Sequence, residues 1–173
     1  MTKASGSLDR ESEGGIARVA SAGLTCPAPA GEVDRVLLGH GSGGKLSAAL
    51  LRDRFLPHFG NSLLAELGDA AVVPVPGDEI AVSTDSFVVS PLEFPGGNIG
   101  HLAVHGTVND LSMMGAEPLY LSAGFILEEG LPFDVLDRVI EAMAGAAADA
   151  GVIVVTGDTK VVERGKADGL FIN

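Results

Sequence analysis

Residues 104–118, VHGTVNDLSMMGAEP, constrain the fold of this chain more than any other stretch. Together with the residues before them they predict a helix over about 98–114. In it Asn98, His101, His105, Asn109 and Ser112 recur at spacings of three and four, which sets them along one side. Asp110 adjoins that line, and Gly115 ends the helix. A helix packed into a core must hydrogen-bond such a stripe or lose roughly 1–3 kcal/mol for each stranded group. A ligand is one source of the missing partners.

The neighbouring segments supply a frame. The clearest helical period runs over 132–150, where Leu136, Val139, Ile140, Met143, Ala146, Ala147 and Ala150 share a face. Residues 119–127 and 152–155, on either side of it, read as strands. Residues 46–56 read as a helix with Ala48, Leu51, Phe55 and Phe59 on one face, bounded by Pro57 and Gly60. Two more strands are expected over 71–75 and 80–89, joined by a turn at Gly77, with a loop over 91–97. Residues 1–34 are rich in Ser, Gly, Ala and Pro without periodicity and read as a disordered tail, leaving 35–173 as one domain. The sequence stops inside the apolar run Leu170, Phe171, Ile172, Asn173, which predicts a second, C-terminal domain beyond it.

Composition narrows the function. The net charge is −12, from 23 acidic against 11 basic residues, and no basic face is available for a nucleic acid. No apolar run is long enough to span a bilayer. The single cysteine, Cys26, excludes an internal disulfide framework and fits a reducing compartment. Cys26 has no nearby cation or helix start to activate it and reads as inert. A soluble, cytoplasmic protein is expected, with no nucleic-acid or membrane partner. The histidine pair His101 and His105 has a spacing that can hold zinc, but no third ligand is apparent, so hydrogen bonding on the polar face is the expected role. Met113 and Met114 read as packing residues.

The glycine-rich segment 39–45, GHGSGGK, supports three readings. Gly39, Gly41 and Gly44 fit a dinucleotide fingerprint, but the preceding strand is short and no acid ends a second strand at the required distance. Gly39, Gly44 and Lys45 fit a Walker loop, but Leu46 stands where Ser or Thr would hold Mg²⁺. The third reading is a mobile cover in which the amides of Gly43 and Gly44, with Lys45, close over phosphates. A plain loop capping the next helix remains the alternative. Four aspartates flank apolar runs: Asp69 in GDAAVV, Asp85 in STDSF, Asp110 in VNDLS and Asp158 in GDTK. Each alone is a turn former or a cap. Together with the polar helix they suggest carboxylates converging on Mg²⁺, which in turn holds phosphate against an acidic surface.

In order and wording, these motifs resemble the signatures of an ATP-using superfamily. It includes aminoimidazole ribonucleotide synthetase, selenophosphate synthetase and thiamine-monophosphate kinase. The resemblance covers about residues 36–173. Through STDSF, HGTVNDLSMMGA and GDTKVV it is strongest to the hydrogenase-maturation branch. It implies an α+β, PurM-like N-terminal domain: a mixed sheet with two long helices on one face, dimerising through the sheet. It implies ATP and Mg²⁺ as cofactors. Asp69, Asp85 and Asp110 match metal-site positions. Gly43, Gly44, Lys45, Asn109, Asp158 and Thr159 match nucleotide contacts, and Lys160 and Asp85 are the implied catalytic residues. The implied reaction is ATP-dependent dehydration of an S-carbamoyl group on the protein's own C-terminal cysteine to a thiocyanate, the source of cyanide ligands for nickel–iron hydrogenase. The implied partners are a second copy of the chain, the carbamoyltransferase HypF and the HypC–HypD maturation complex. This chain would be the nucleotide-binding, dimerising half, inactive alone. Another kinase or synthetase of the superfamily, or a non-catalytic scaffold, are the alternatives.

Overall fold

A computed structural model describes residues 34–68, 70–77 and 79–173; the tail expected over 1–34, apart from Asp34, and Cys26 lie outside the described residues. Asp34 is already tied in, its carbonyl accepting the Phe133 N–H at 2.9 Å, and Arg35 forms an antiparallel bridge with Pro132. Val36 is fully buried. The glycine segment begins with a 3₁₀ turn, Leu38–Gly41, and leads into α1 (Lys45–Leu50). This helix widens into a π-turn, Leu51–Phe55, and finishes as α2 (Leu56–Phe59). It therefore continues past the expected end at 56. Proline lacks the N–H and crowds the preceding turn of a regular helix. The wider register, in which Leu56 N–H donates to the Leu51 carbonyl, accommodates Pro57.

A short hairpin, β1 (Glu93–Phe94) and β2 (Gly97–Asn98), feeds α3 (Ile99–Met113). The Asn98 side chain starts that helix by accepting from the Gly100 and His101 amides. β3 (Tyr120–Glu128), α4 (Phe133–Ala150), β4 (Ile153–Val162) and β5 (Leu170–Ile172) complete the domain. The sheet has the order β4-β3-β5, with β3 parallel to β4 and antiparallel to β5. Alternation along β3 buries Leu121, Ala123, Phe125 and Leu127 and leaves Ser122 and Ile126 exposed. The buried set joins Leu136, Val139, Ile140 and Met143 of α4 and Ile99, Ala103 and Val104 of α3 in one core. Phe125 meets Phe55 edge-on with centroids 4.9 Å apart. Truncating a core phenylalanine of this kind to alanine costs about 3–5 kcal/mol. The expected α+β architecture, a mixed sheet with two long helices, is the one observed.

Three expectations are corrected. Residues 71–75 and 80–89 form no strand; Val72 is 90% and Val82 82% exposed. Side-chain preference supplies only half of a strand, and the ladder partner supplies the rest. Among the described residues this stretch meets a partner only at Phe87, which bridges to Ile172. The strand expected over 152–155 does not stop there: β4 runs on through the GDTK motif to Val162. Only the first residue of the polar line, Asn98, is buried, and it is hydrogen-bonded; His105, Asn109 and Ser112 are exposed on the outer side of α3, so the core imposes no demand for partners there.

Candidate functional site

The glycine segment is anchored at one end and open at the other. His40 is buried; its Nδ1 accepts the Leu37 N–H at 2.8 Å, and its ring meets Phe133 edge-on. Burial holds the His40 imidazole below its usual pKa. A side chain at Gly41 would come within 2.7 Å of the Val161 amide nitrogen, so glycine lets the turn lie directly on β4. From Ser42 onward the segment is exposed. Gly44 is the N-cap of α1 and Lys45 its first residue, also exposed. Ser47 Oγ accepts the Gly43 N–H at 2.9 Å. The mobile-cover expectation therefore applies to 42–45, and not to the docked turn before it.

A cavity of about 320 Å³ opens between this segment and β4, with Gly43, Asp158, Thr159 and Lys160 in its lining. Phe55 and Phe59 contribute apolar wall. The Asp158 carboxylate accepts from Lys160 Nζ at 3.0 Å and from the Thr159 N–H at 2.9 Å. The lysine bond holds this carboxyl below the ordinary aspartate range, so it stays ionised.

A second cavity, about 550 Å³, lies under the 71–89 segment and against α3 and β3. Thr84, Asp85, Thr107, Ser122 and Asn173 are among the residues lining it. Asp85 Oδ1 accepts the Ser86 N–H at 2.7 Å, and Asp110 Oδ2 accepts from Ser83 Oγ at 3.3 Å. Ser83 thus links the stretch carrying Asp85 to α3. The two cavities face a common sheet. Asp158 stands opposite Gly124 in the β3–β4 ladder, and Gly124 exchanges both backbone hydrogen bonds with Asn173 on its other side.

The expected site residues fall into two groups. Gly43, Asp158, Thr159 and Lys160 are brought together, with Gly44 and Lys45 following Gly43 in sequence. Asp110 accepts from Ser83, two residues before Asp85 in the chain. Asn109 is exposed on α3 beside Asp110. Asp69 lies outside the described residues. Among the described residues no three of His, Cys, Asp or Glu converge as a metal cluster. His101 Nδ1 accepts the Asn98 N–H at 3.3 Å, which is a capping role rather than a zinc ligand's. Sequence reasoning missed His40, although it sits inside the glycine motif, and Asn173, for which the sequence holds no signal beyond its polarity at the end of an apolar run.

Mg²⁺ needs only one or two carboxylates, with water and phosphate completing its shell. Asp85 and Asp110, both exposed, have the hard-oxygen chemistry for that. The amides of Gly44 and Lys45 and the cation of Lys45 suit phosphate, whereas the Gly43 N–H is given to Ser47 Oγ. A mixed sheet with two long helices and such a glycine segment is the architecture of an N-terminal domain of the aminoimidazole ribonucleotide synthase type. The family model described as "AIR synthase related protein, N-terminal domain" matches residues 67–173, and the chain belongs to that family.

Within the family, the chain is 55% identical over 139 residues to the carbamoyl dehydratase HypE of Cupriavidus necator; the match covers 80% of this chain and 40% of that protein. Among solved structures it is similar to the hydrogenase maturation protein HypE in complex with ATP, with 60% identity and a TM-score of 0.77 over 79% of this chain and 40% of the other. It is also similar to a chain of the HypE–HypF complex, with 52% identity and a TM-score of 0.54, over 72% and 40% of the two chains. The chain therefore spans about 40% of the length of the first of these relatives.

Proposed function

We propose that this chain is the nucleotide-binding part of an ATP-dependent carbamoyl dehydratase that serves nickel–iron hydrogenase maturation. The observation that carries the reading is the shared cavity of Gly43 with Asp158, Thr159 and Lys160. It joins a phosphate-type glycine segment to a cation held in place by a carboxylate. The similarity to the carbamoyl dehydratase HypE of Cupriavidus necator and to the HypE solved in complex with ATP supports it.

The chemistry follows from the poor leaving ability of an amide oxygen. The oxygen of an S-carbamoyl group attacks the γ-phosphorus of ATP, and ADP leaves. The carbon–oxygen bond then breaks as phosphate departs, the nitrogen gives up both its protons, and a thiocyanate remains. The acceptor is a cysteine at the C-terminus of the whole protein. The Lys45 side chain and the Gly44 and Lys45 amides contact phosphate, and Asp158 and Thr159 border the same end. Lys160, fixed by Asp158, serves the transferring phosphoryl group or the amide protons. Asp69, Asp85 and Asp110, with Asn109, are the residues that would hold Mg²⁺, which would supply charge neutralisation at the phosphates. The protein acts in the cytoplasm as a homodimer, receives its carbamoyl group from HypF and delivers to HypC–HypD. The HypE–HypF complex supports the first of those partners.

Titration calorimetry with Mg–ATP tests the nucleotide reading. The chain is expected to bind. Asp85→Asn and Asp110→Asn are each expected to lose at least tenfold in affinity, about 1.4 kcal/mol. Hydrogen exchange over 42–45 is expected to slow in the presence of the nucleotide. No binding at millimolar Mg–ATP overturns the proposed function, and equal affinity in both variants removes these carboxylates from the site.

A further inference from the structure

Three polar atoms from three consecutive residues converge on one amide group. Asn173 Nδ2 has two N–H groups for three acceptors: the Asp85 carbonyl at 2.8 Å, Ser86 Oγ at 3.0 Å and, sharing one of the protons, Thr84 Oγ1 at 3.2 Å. The backbone beneath that amide is pinned from both sides. Asn173 exchanges N–H and carbonyl with Gly124 at 2.9 and 2.7 Å, and Ile172 exchanges them with Phe87 at 3.3 and 2.7 Å. Among the described residues the stretch 84–86 has no strand partner of its own, so this bracket, with the Phe87 bridge beside it, holds its path against the sheet. Asp85 spends one carboxylate oxygen on its neighbour's amide, Ser86 N–H. The direction of the carboxylate is therefore set by the backbone at 85–86, which the Asn173 amide holds.

We infer that Asn173 is a positioning residue that presents the Asp85 carboxylate to the divalent cation of the nucleotide complex; this rests on the proposed role of Asp85. A carboxamide suits the task chemically. The two hydroxyls of Thr84 and Ser86 can reverse and donate, but the Asp85 carbonyl only accepts. The nitrogen end of Asn173 is required there. An aspartate at 173 has the same shape but turns an oxygen toward that carbonyl.

The test uses the full chain and reads nucleotide binding with and without Mg²⁺, using a fluorescent ATP analogue. Asn173→Asp and Asn173→Ala are expected to weaken binding about tenfold in Mg²⁺ and to leave the weaker binding in chelator unchanged. Ser86→Ala removes one contact of the bracket and keeps the carbonyl one; a loss of about threefold in Mg²⁺ is expected, and it serves if the Asn173 variants do not fold. Combined with Asp85→Asn, any of these is expected to add nothing to the Asp85→Asn loss. Losses that multiply, or that are equal with and without Mg²⁺, overturn the inference and leave the functional reading standing. Unchanged binding in Asp85→Asn also overturns it, and with it the metal role of that carboxylate. Absence of nucleotide binding in the unmodified chain overturns both.

Discussion

His40 couples the glycine segment to pH. Its Nδ1 accepts a backbone N–H, so protonation of that nitrogen sets two donors against each other. The Arg54 guanidinium lies 4.6 Å from the centre of the Phe133 ring that His40 abuts, which adds a second cation nearby, although Asp137 pairs with Arg54. Burial lowers the folded-state pKa below 6.5. The unfolded chain then binds more protons than the folded one in the window below 6.5, and stability rises with pH there. The contribution is complete above the unfolded value and is lost as pH falls through the folded value. The thermal midpoint is expected to be level above neutrality and to fall as pH drops below 6.5. In His40→Gln that component of the slope disappears. An unchanged slope in the variant means that other groups set the pH dependence.

At the scale of elements, the two long helices meet at Gly100. A methyl group there would collide with the Val139 carbonyl oxygen and come within 3.1 Å of the Met143 amide nitrogen. Both are backbone atoms of α4, so neither can turn away as a side chain would. Gly100→Ala is expected to force α3 and α4 apart at a cost of about 1–3 kcal/mol, an overpacking penalty. Gly145 is the control. It lies on the outer face of α4, and an added methyl group meets nothing within 4 Å. Gly145→Ala is expected to gain up to about 1 kcal/mol in helix propensity. Thermal melts of the two variants are therefore expected to move in opposite directions. A shared direction would mean that the interhelical contact is looser than its geometry.

The whole molecule exposes apolar side chains in connected places: Val72, Ile80, Val82 and Val88 along the 71–89 stretch, and Ile126 and Ile153 on the open sheet. Tyr120 Oη donates to the Pro74 carbonyl at 2.9 Å and holds the stretch beside β3. Unpaired backbone beside exposed apolar residues is a ready interface. The proposed homodimer through the sheet covers both at once. Light scattering at tens of micromolar is expected to give twice the chain mass. Val82→Glu, which sets a charge in the interface, is expected to shift the population to the monomer. A monomeric unmodified chain would remove the sheet as the dimer surface.

The sequence by itself determined α4, the start of α3 and the alternation of β3, because each is written in contacts between near neighbours. Leu136, Val139, Ile140 and Met143 keep one period across the whole of α4, and the Asn98 cap is a local bond. It also identified the glycine segment and the Asp158–Lys160 motif as chemistry worth seeking. What it left open depended on partners distant in the chain. GDTK is a strand because β3 lies beside it, not because aspartate favours strands. Residues 71–75 and 80–89 have strand-like side chains, and only tertiary structure shows that the described chain gives them almost no ladder. His40 reads as one more residue in a glycine loop until the fold sets it against Phe133. Asn173 is silent in sequence, since its meaning lies in three atoms almost ninety residues away. A period is a property of neighbours, whereas a bracket across a sheet exists only after the sheet has formed.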